Sequence, residues 1–180
     1  MSLTPTAGQT VGPFFGYALP FPHDDELVPP GTPGTVTLHG RVYDGHGEPV
    51  PDAILELWQA DADGNLIQEQ GSLRRDAGPD EWAFTGFGRS STDAEGRYSF
   101  TTVVPGAPFF AITVFARGLL NRLFTRAYLP DHAGDPFLDT VDADRRSTVL
   151  TTQDETGYVF DVHLQGERET VFLAYPRHLS

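Results

Sequence analysis

The sequence predicts an all-β fold, a β-sandwich with few short helices and an extended N-terminal arm. Three observations predict it. Thirteen Phe and fifteen Pro in 180 residues suit pleated surfaces and turns better than helix interiors. Apolar and polar residues alternate with a period of two from Thr35 onward. Clusters of Gly, Pro, Asp and Asn interrupt that alternation at short intervals.

Residues 1–34 contain Pro5, Gly8, Gly12, Pro13, Pro20, Pro22, Pro29, Pro30 and Pro33, which forbids a long helix or a central strand. Val11, Phe14, Phe15, Tyr17, Leu19 and Phe21 are too apolar for a free linker. The segment is therefore expected to lie as an arm on another surface, a neighbouring chain in preference to its own.

In the next stretch Val36, Leu38, Gly40 and Val42 alternate with Thr37, His39, Arg41 and Tyr43, the pattern of a half-buried strand. Asp44-Gly45-His46-Gly47 is a turn. Ala53 to Gln59 is the second strand, and Glu56 inside it calls for an Arg partner if it points inwards. Asp61-Ala62-Asp63-Gly64-Asn65 is another turn. Its resemblance to the start of a calcium loop fails at the twelfth position, which is Ser72 and not Glu. Residues 68–83 read as a polar excursion. Phe84 to Ser91 and Arg97 to Val103 read as a hairpin around Asp93-Ala94-Glu95-Gly96. Phe109 to Ala116 is nearly continuous in apolar residues, as in a strand buried on both faces. Further strands are expected at Phe124–Leu129, Ser147–Thr151, Tyr158–Gln165 and Thr170–Tyr175, with one short helix at Leu138–Arg146. About eight strands at turn-separated intervals make a single sandwich domain over 1–180, with the arm at 1–34 and the sandwich at 35–180.

The formal net charge is −13, and every cation is Arg. A field of that sign repels nucleic acid and anionic membranes, so neither is an expected partner. No apolar run reaches the roughly 18 residues of a membrane span. The start of the chain lacks a basic, then apolar, leader, so a cytoplasmic location is the default expectation. Cys is absent, which excludes disulfides and thiolate metal sites. The six His residues, at 23, 39, 46, 132, 163 and 178, show no i, i+2 or i, i+4 pairing of the kind a shared metal needs. No nucleophile-elbow or phosphate-loop motif is present.

The frame Arg41-Val42-Tyr43-Asp44 through Pro49-Val50-Pro51, Glu56-Leu57-Trp58-Gln59-Ala60 and Asp93-Ala94-Glu95-Gly96-Arg97-Tyr98-Ser99-Phe100 resembles the intradiol ring-cleavage dioxygenases. The resemblance runs from Thr10 to Tyr175. It includes Gln9-Thr10-Val11-Gly12-Pro13-Phe14-Phe15 and the run from Phe160 to Phe172, FDVHLQGERETVF. That family holds Fe(III) with two Tyr and two His, a hard donor set suited to a trivalent ion. Here the place of the first Tyr falls near Leu66. The loop of the second Tyr is cut down to Ala107-Pro108. The His-x-His strand reads Phe109-Phe110-Ala111-Ile112-Thr113.

The resemblance thus implies a chain with no catalytic residue and no metal of its own. It points to the branch of the family built from two homologous chains, in which Fe(III) sits in the β chain. The implied partners are that β chain, in a protomer that assembles further, with 3,4-dihydroxybenzoate (protocatechuate) and O₂. Cleavage between the hydroxylated carbons would give 3-carboxy-cis,cis-muconate. It further implies that Thr10, Gly12 and Pro13 line the substrate side of the partner's pocket; the alternative is that this turn only packs at the interface. Arg126 would stand at the pocket mouth and attract the substrate carboxylate; the alternative is an intrachain or surface salt bridge. Two other readings remain open at this point, a prealbumin-like carrier sandwich and a stand-alone catechol or hydroxyquinol dioxygenase.

Overall fold

The computed structural model describes residues 8–29, 31–67, 84–131 and 134–174. The polar excursion at 68–83, Ser72, His132, His178 and Tyr175 lie outside them. The described elements are α1 (Phe15–Ala18), β1 (Thr35–Tyr43), β2 (Ile54–Trp58), β3 (Phe87–Ser91), β4 (Arg97–Val103), β5 (Phe109–Phe115), β6 (Leu123–Tyr128), α2 (Pro136–Thr140), a 3-10 helix (Arg146–Val149), β7 (Thr152–Gln153), β8 (Gly157–Val159) and β9 (Val162–His163).

Two sheets face each other. The first has the order β4-β1-β8-β7, with β9 also on β1; the second has the order β3-β2-β5-β6. The period of two decides which side chains meet between them. Leu38 and Val42 of β1, Tyr98 and Phe100 of β4, Leu55 and Leu57 of β2, and Phe110, Ile112 and Val114 of β5 form one buried cluster. Such burial is the main stabilising term of the fold. A smaller cluster of Tyr128, Leu138 and Val149 seats α2 and the 3-10 helix at the β6 edge.

The 93–96 turn has the predicted chemistry but joins different sheets. Asp93 Oδ1 accepts from the N–H groups of Glu95 and Arg97, at 2.9 and 2.8 Å. Gly96 supplies the left-handed backbone, at φ +72°. Its flanking strands do not form a ladder, however, because β3 pairs with β2 and β4 with β1. The expected hairpin is a corner between sheets.

Other boundaries also shift. The helix expected at 138–146 starts at Pro136, where Asp135 caps the N–H of Phe137 and Pro occupies the first turn. It ends at Thr140, and Val141 is already extended. The strand expected at 147–151 is the 3-10 helix, because Thr148 N–H and Oγ1 both return to the Arg145 carbonyl. Only Leu150 bridges to Tyr128. The strand expected over 158–165 breaks between β8 and β9, where the Asp161 carboxylate takes the Arg41 N–H at 2.9 Å. The C-terminal segment divides its bonds between His163 and Phe124, so no strand forms among its described residues.

The C-terminal part of the arm is held by its own domain. Asp24 and Asp25 carbonyls accept from Arg89 of β3 and Thr101 of β4, and Leu27 N–H returns to Thr101. These few residues join the edge strand of one sheet to the edge strand of the other, and Leu27 enters the core. Closing both edges hides ladder groups that would otherwise invite pairing with another chain. The expectation that the arm favours a neighbour therefore fails for 24–28. It stays open for 11–21, where Phe14, Tyr17 and Phe21 are 75%, 87% and 60% exposed.

Candidate functional site

The second sheet carries β5, the strand that the resemblance aligns with the His-x-His motif. Because Leu55, Leu57, Phe110, Ile112 and Val114 turn inwards, alternation sends Trp58 of β2 and Phe109, Ala111, Thr113 and Phe115 of β5 outwards. Cross-strand register then aligns Trp58, Ala111 and Arg126 in one row, with Glu56, Thr113 and Phe124 in the next. Any ligand pair two residues apart on β5 would need those outward positions. They hold Phe, Ala and Thr.

The two turns that flank this face are pressed together. The Gly106 N–H donates to the Asp61 carbonyl at 2.8 Å. A Cβ at Gly106 would collide with the backbone of Ala62 and Gly64. Asp61 is consumed by its own turn, accepting from the N–H groups of Asp63 and Asn65 and from the Asn65 amide. Those donors, the Asn65 side chain first, hold its carboxyl below the usual Asp range. It is a turn brace, as the Ser72 mismatch suggested. Leu66 follows, exposed to solvent.

Arg126 is the charged centre of the face. Its Nη1 donates to Asp135 at 3.0 and 3.2 Å and to the Tyr128 hydroxyl at 3.2 Å. The guanidinium lies 4.3 Å from the centroid of Phe109 and 5.3 Å from that of Phe137, an arrangement that adds cation–π attraction to the ion pair. Burial pushes the Tyr128 phenol up, against the pull of Arg126, so it stays protonated at neutral pH. Glu56 does find an Arg, but on this outer face and not inwards: Arg89 Nη2 reaches it at 2.6 Å. Arg89 Nη1 also donates to the Leu19 carbonyl, which ties the arm over the β3 edge.

Thr10 is anchored at the loop that follows β5, and Gly12 and Pro13 follow in the chain. The Thr10 hydroxyl accepts from the Gly118 N–H at 2.7 Å. Gly12 is exposed with open space around its Cα. Pro13 helps line a cavity of about 390 Å³ under the arm, with Phe15, Tyr17, Asp52 and Arg117. No hydrogen bond or ion pair joins this turn to Arg126 among the described residues.

Sequence reasoning missed Asp135 and Phe137, the groups that hold Arg126. The signal was present, since Asp before Pro-Phe marks a helix N-terminus. The residues at the ligand positions do not fit an iron ion. Among the described residues no three His, Cys, Asp or Glu side chains gather as a metal site. A Tyr and His that do meet, Tyr43 and His163, are stacked face to face at 4.9 Å on the other sheet. No helix among the described residues is long and apolar enough to cross a membrane.

Comparison with known proteins gives a consistent answer. A family profile described as "Dioxygenase" matches residues 11–153. The chain is 37% identical to the protocatechuate 3,4-dioxygenase alpha chain of Burkholderia cepacia, over 95% of this chain and 98% of that one. It is 34% identical to the protocatechuate 3,4-dioxygenase beta chain of the same organism, over 75% of this chain and 66% of that one. Among solved structures it is similar to the dioxygenase domain of a dioxygenase–carbohydrate-binding protein fusion from Streptomyces sp. SirexAA-E. That match has a TM-score of 0.57 and 27% identity, and covers 91% of this chain and 99% of the other.

Proposed function

The chain belongs to the intradiol dioxygenase family, and from that premise we propose that it is the iron-free α subunit of a protocatechuate 3,4-dioxygenase. Its partner is a homologous β chain that holds the Fe(III), and the substrates are 3,4-dihydroxybenzoate and O₂. The observation that carries this reading is the outer face of β5. The sandwich of the family is retained while Phe109, Ala111, Thr113 and Phe115 stand at the outward positions from which that strand could offer paired ligands. A chain built this way supplies shape, burial and charge to a site it does not complete. The near full-length likeness to an alpha chain, with a weaker likeness to a beta chain, supports the two-chain assembly.

Within that assembly Thr10, Gly12 and Pro13 line the substrate side of the partner's pocket. The Thr10–Gly118 bond fixes where that turn points. Arg126 stands at the mouth. Asp135 and the two rings hold its guanidinium still, so it offers the substrate carboxylate a placed charge with little side-chain entropy to lose. The experiment is co-expression with the candidate β chain, followed by size-exclusion chromatography, iron analysis and kinetics. Equal co-elution, iron in the complex and none in this chain purified alone are expected. Near-stoichiometric iron in the isolated chain would revive the stand-alone enzyme, and elution without a partner would revive the carrier. Arg126→Ala in the complex should raise KM in a salt-dependent way with kcat preserved; an unchanged KM removes Arg126 from the pocket.

A further inference from the structure

The outer face of the first sheet, on the side away from the Arg126 cluster, has a cost that the fold does not explain. Arg41 of β1 and Arg97 of β4 stand directly opposite each other in the antiparallel register. Their neighbours Val42, Tyr98 and Gly40 are buried, so both guanidinium groups emerge on the solvent side. Like charges directly opposite destabilise a ladder. In a chain with 25 acidic and only 12 basic residues, two cations sharing one rung stand out. Both line a groove of about 930 Å³, together with His39, Tyr43, Ser91 and Ser99.

Three carboxylates, Asp25, Asp93 and Asp161, line the same groove, and none of them pairs closely with a guanidinium there. Asp93 Oδ1 braces its own turn, and Asp161 Oδ1 takes the Arg41 backbone N–H. Arg97 reaches Asp93 and Glu95 only at 3.7 and 3.5 Å, on exposed surface, where such pairs count for little. Asp25 also lines the groove, but its place there comes from the arm segment clamped to Thr101. Among the described residues no hydrogen bond or ion pair engages the Arg41 guanidinium. Two planar forks leave the sheet from one rung, one of them unoccupied, and an oxyanion accepts N–H donors from such forks.

We propose that this groove binds a small molecule through one carboxylate or phosphate group held between Arg41 and Arg97. The site is independent of the assignment to a dioxygenase, since it uses neither the Arg126 face nor the partner chain. The test is isothermal titration of the full chain at low ionic strength with two probes, inorganic phosphate and sodium benzoate. Binding of phosphate alone identifies a phosphate ligand; binding of benzoate alone, a planar carboxylate. R41Q and R97Q should each weaken binding about tenfold, the effect of losing a charge-assisted pair, and added salt should weaken it in the wild type.

Thermal melting without ligand gives a second readout. If the paired cations are kept for a ligand, R41Q should melt no lower than the wild type. Three results overturn the proposal: neither probe binding at millimolar concentration, binding that survives both substitutions, or a ligand-free R41Q that melts clearly lower, which would make Arg41 a structural partner.

Discussion

Gly40 shows how a single residue can govern the contact between neighbouring strands. It pairs with Tyr98 across β1 and β4, and on the other side the Phe160 carbonyl approaches so closely that a Cβ would collide with backbone. Gly40→Ala must therefore push β1 away from the β8–β9 segment. The expected cost is about 1–3 kcal/mol, typical of overpacking against an unyielding neighbour, read as a lower denaturation midpoint with an unchanged slope. Asp154 carries a pH prediction on the same sheet. Thr156, through its hydroxyl first and its N–H second, holds the Asp154 carboxyl well below the ordinary Asp value. A carboxyl whose folded value is depressed contributes stability above its unfolded value, near pH 3.9. That contribution is lost as pH falls through the folded value. Asp154→Asn should flatten the acid limb of a stability profile below about pH 4, leaving the neutral region to report only the lost turn bonds. An unchanged acid limb would show that the turn does not couple to folding.

The elements fall into those that local chemistry specifies and those that depend on distant partners. The turns at 44–47, 61–65 and 93–96 each place an Asp before a left-handed Gly, and each forms as expected because donor and acceptor lie within five residues. The 147–151 stretch misleads because Thr148, Val149 and Thr151 carry β-branched side chains. Its polar side chains are satisfied instead by a short helical turn and by the Tyr128 carbonyl. The segment Asp24–Val28 was not legible as a structural clasp, since nothing in its residues announces that β3 and β4 will be its partners. Leu27→Ala should cost about 3 kcal/mol, as for other fully buried leucines. It should also speed exchange of the Arg89 and Thr101 amides, which that segment covers. Protection that stays intact at both amides would mean that the clasp is not held by Leu27.

On the scale of the whole molecule, the arm tip is separable from the core. The core is complete without the arm tip, because α1 buries none of its four residues and the bonds of residues 24–27 keep the sandwich edges closed. The exposed stretch from Phe14 to Phe21 has no charged residue, so it can approach another surface without the repulsion that the net charge of −13 imposes elsewhere. A chain lacking residues 1–21 should keep its circular dichroism spectrum and melt within a few degrees of the full chain. If the proposed assembly with a β chain forms through the arm, the shortened chain should also lose co-elution with the candidate β chain. A truncated chain that still co-elutes would place the interface away from the arm.

The sequence alone was enough for the all-β class, the turn chemistry and the lack of ligands on β5, because period, glycine placement and residue type are local properties. The tertiary structure alone decided that consecutive strands around 93–96 belong to opposite sheets, that Arg126 is gripped by Asp135, and that Arg41 confronts Arg97. Each of those facts is a pairing between distant residues, and pairing energy depends on which surfaces the packed core brings together.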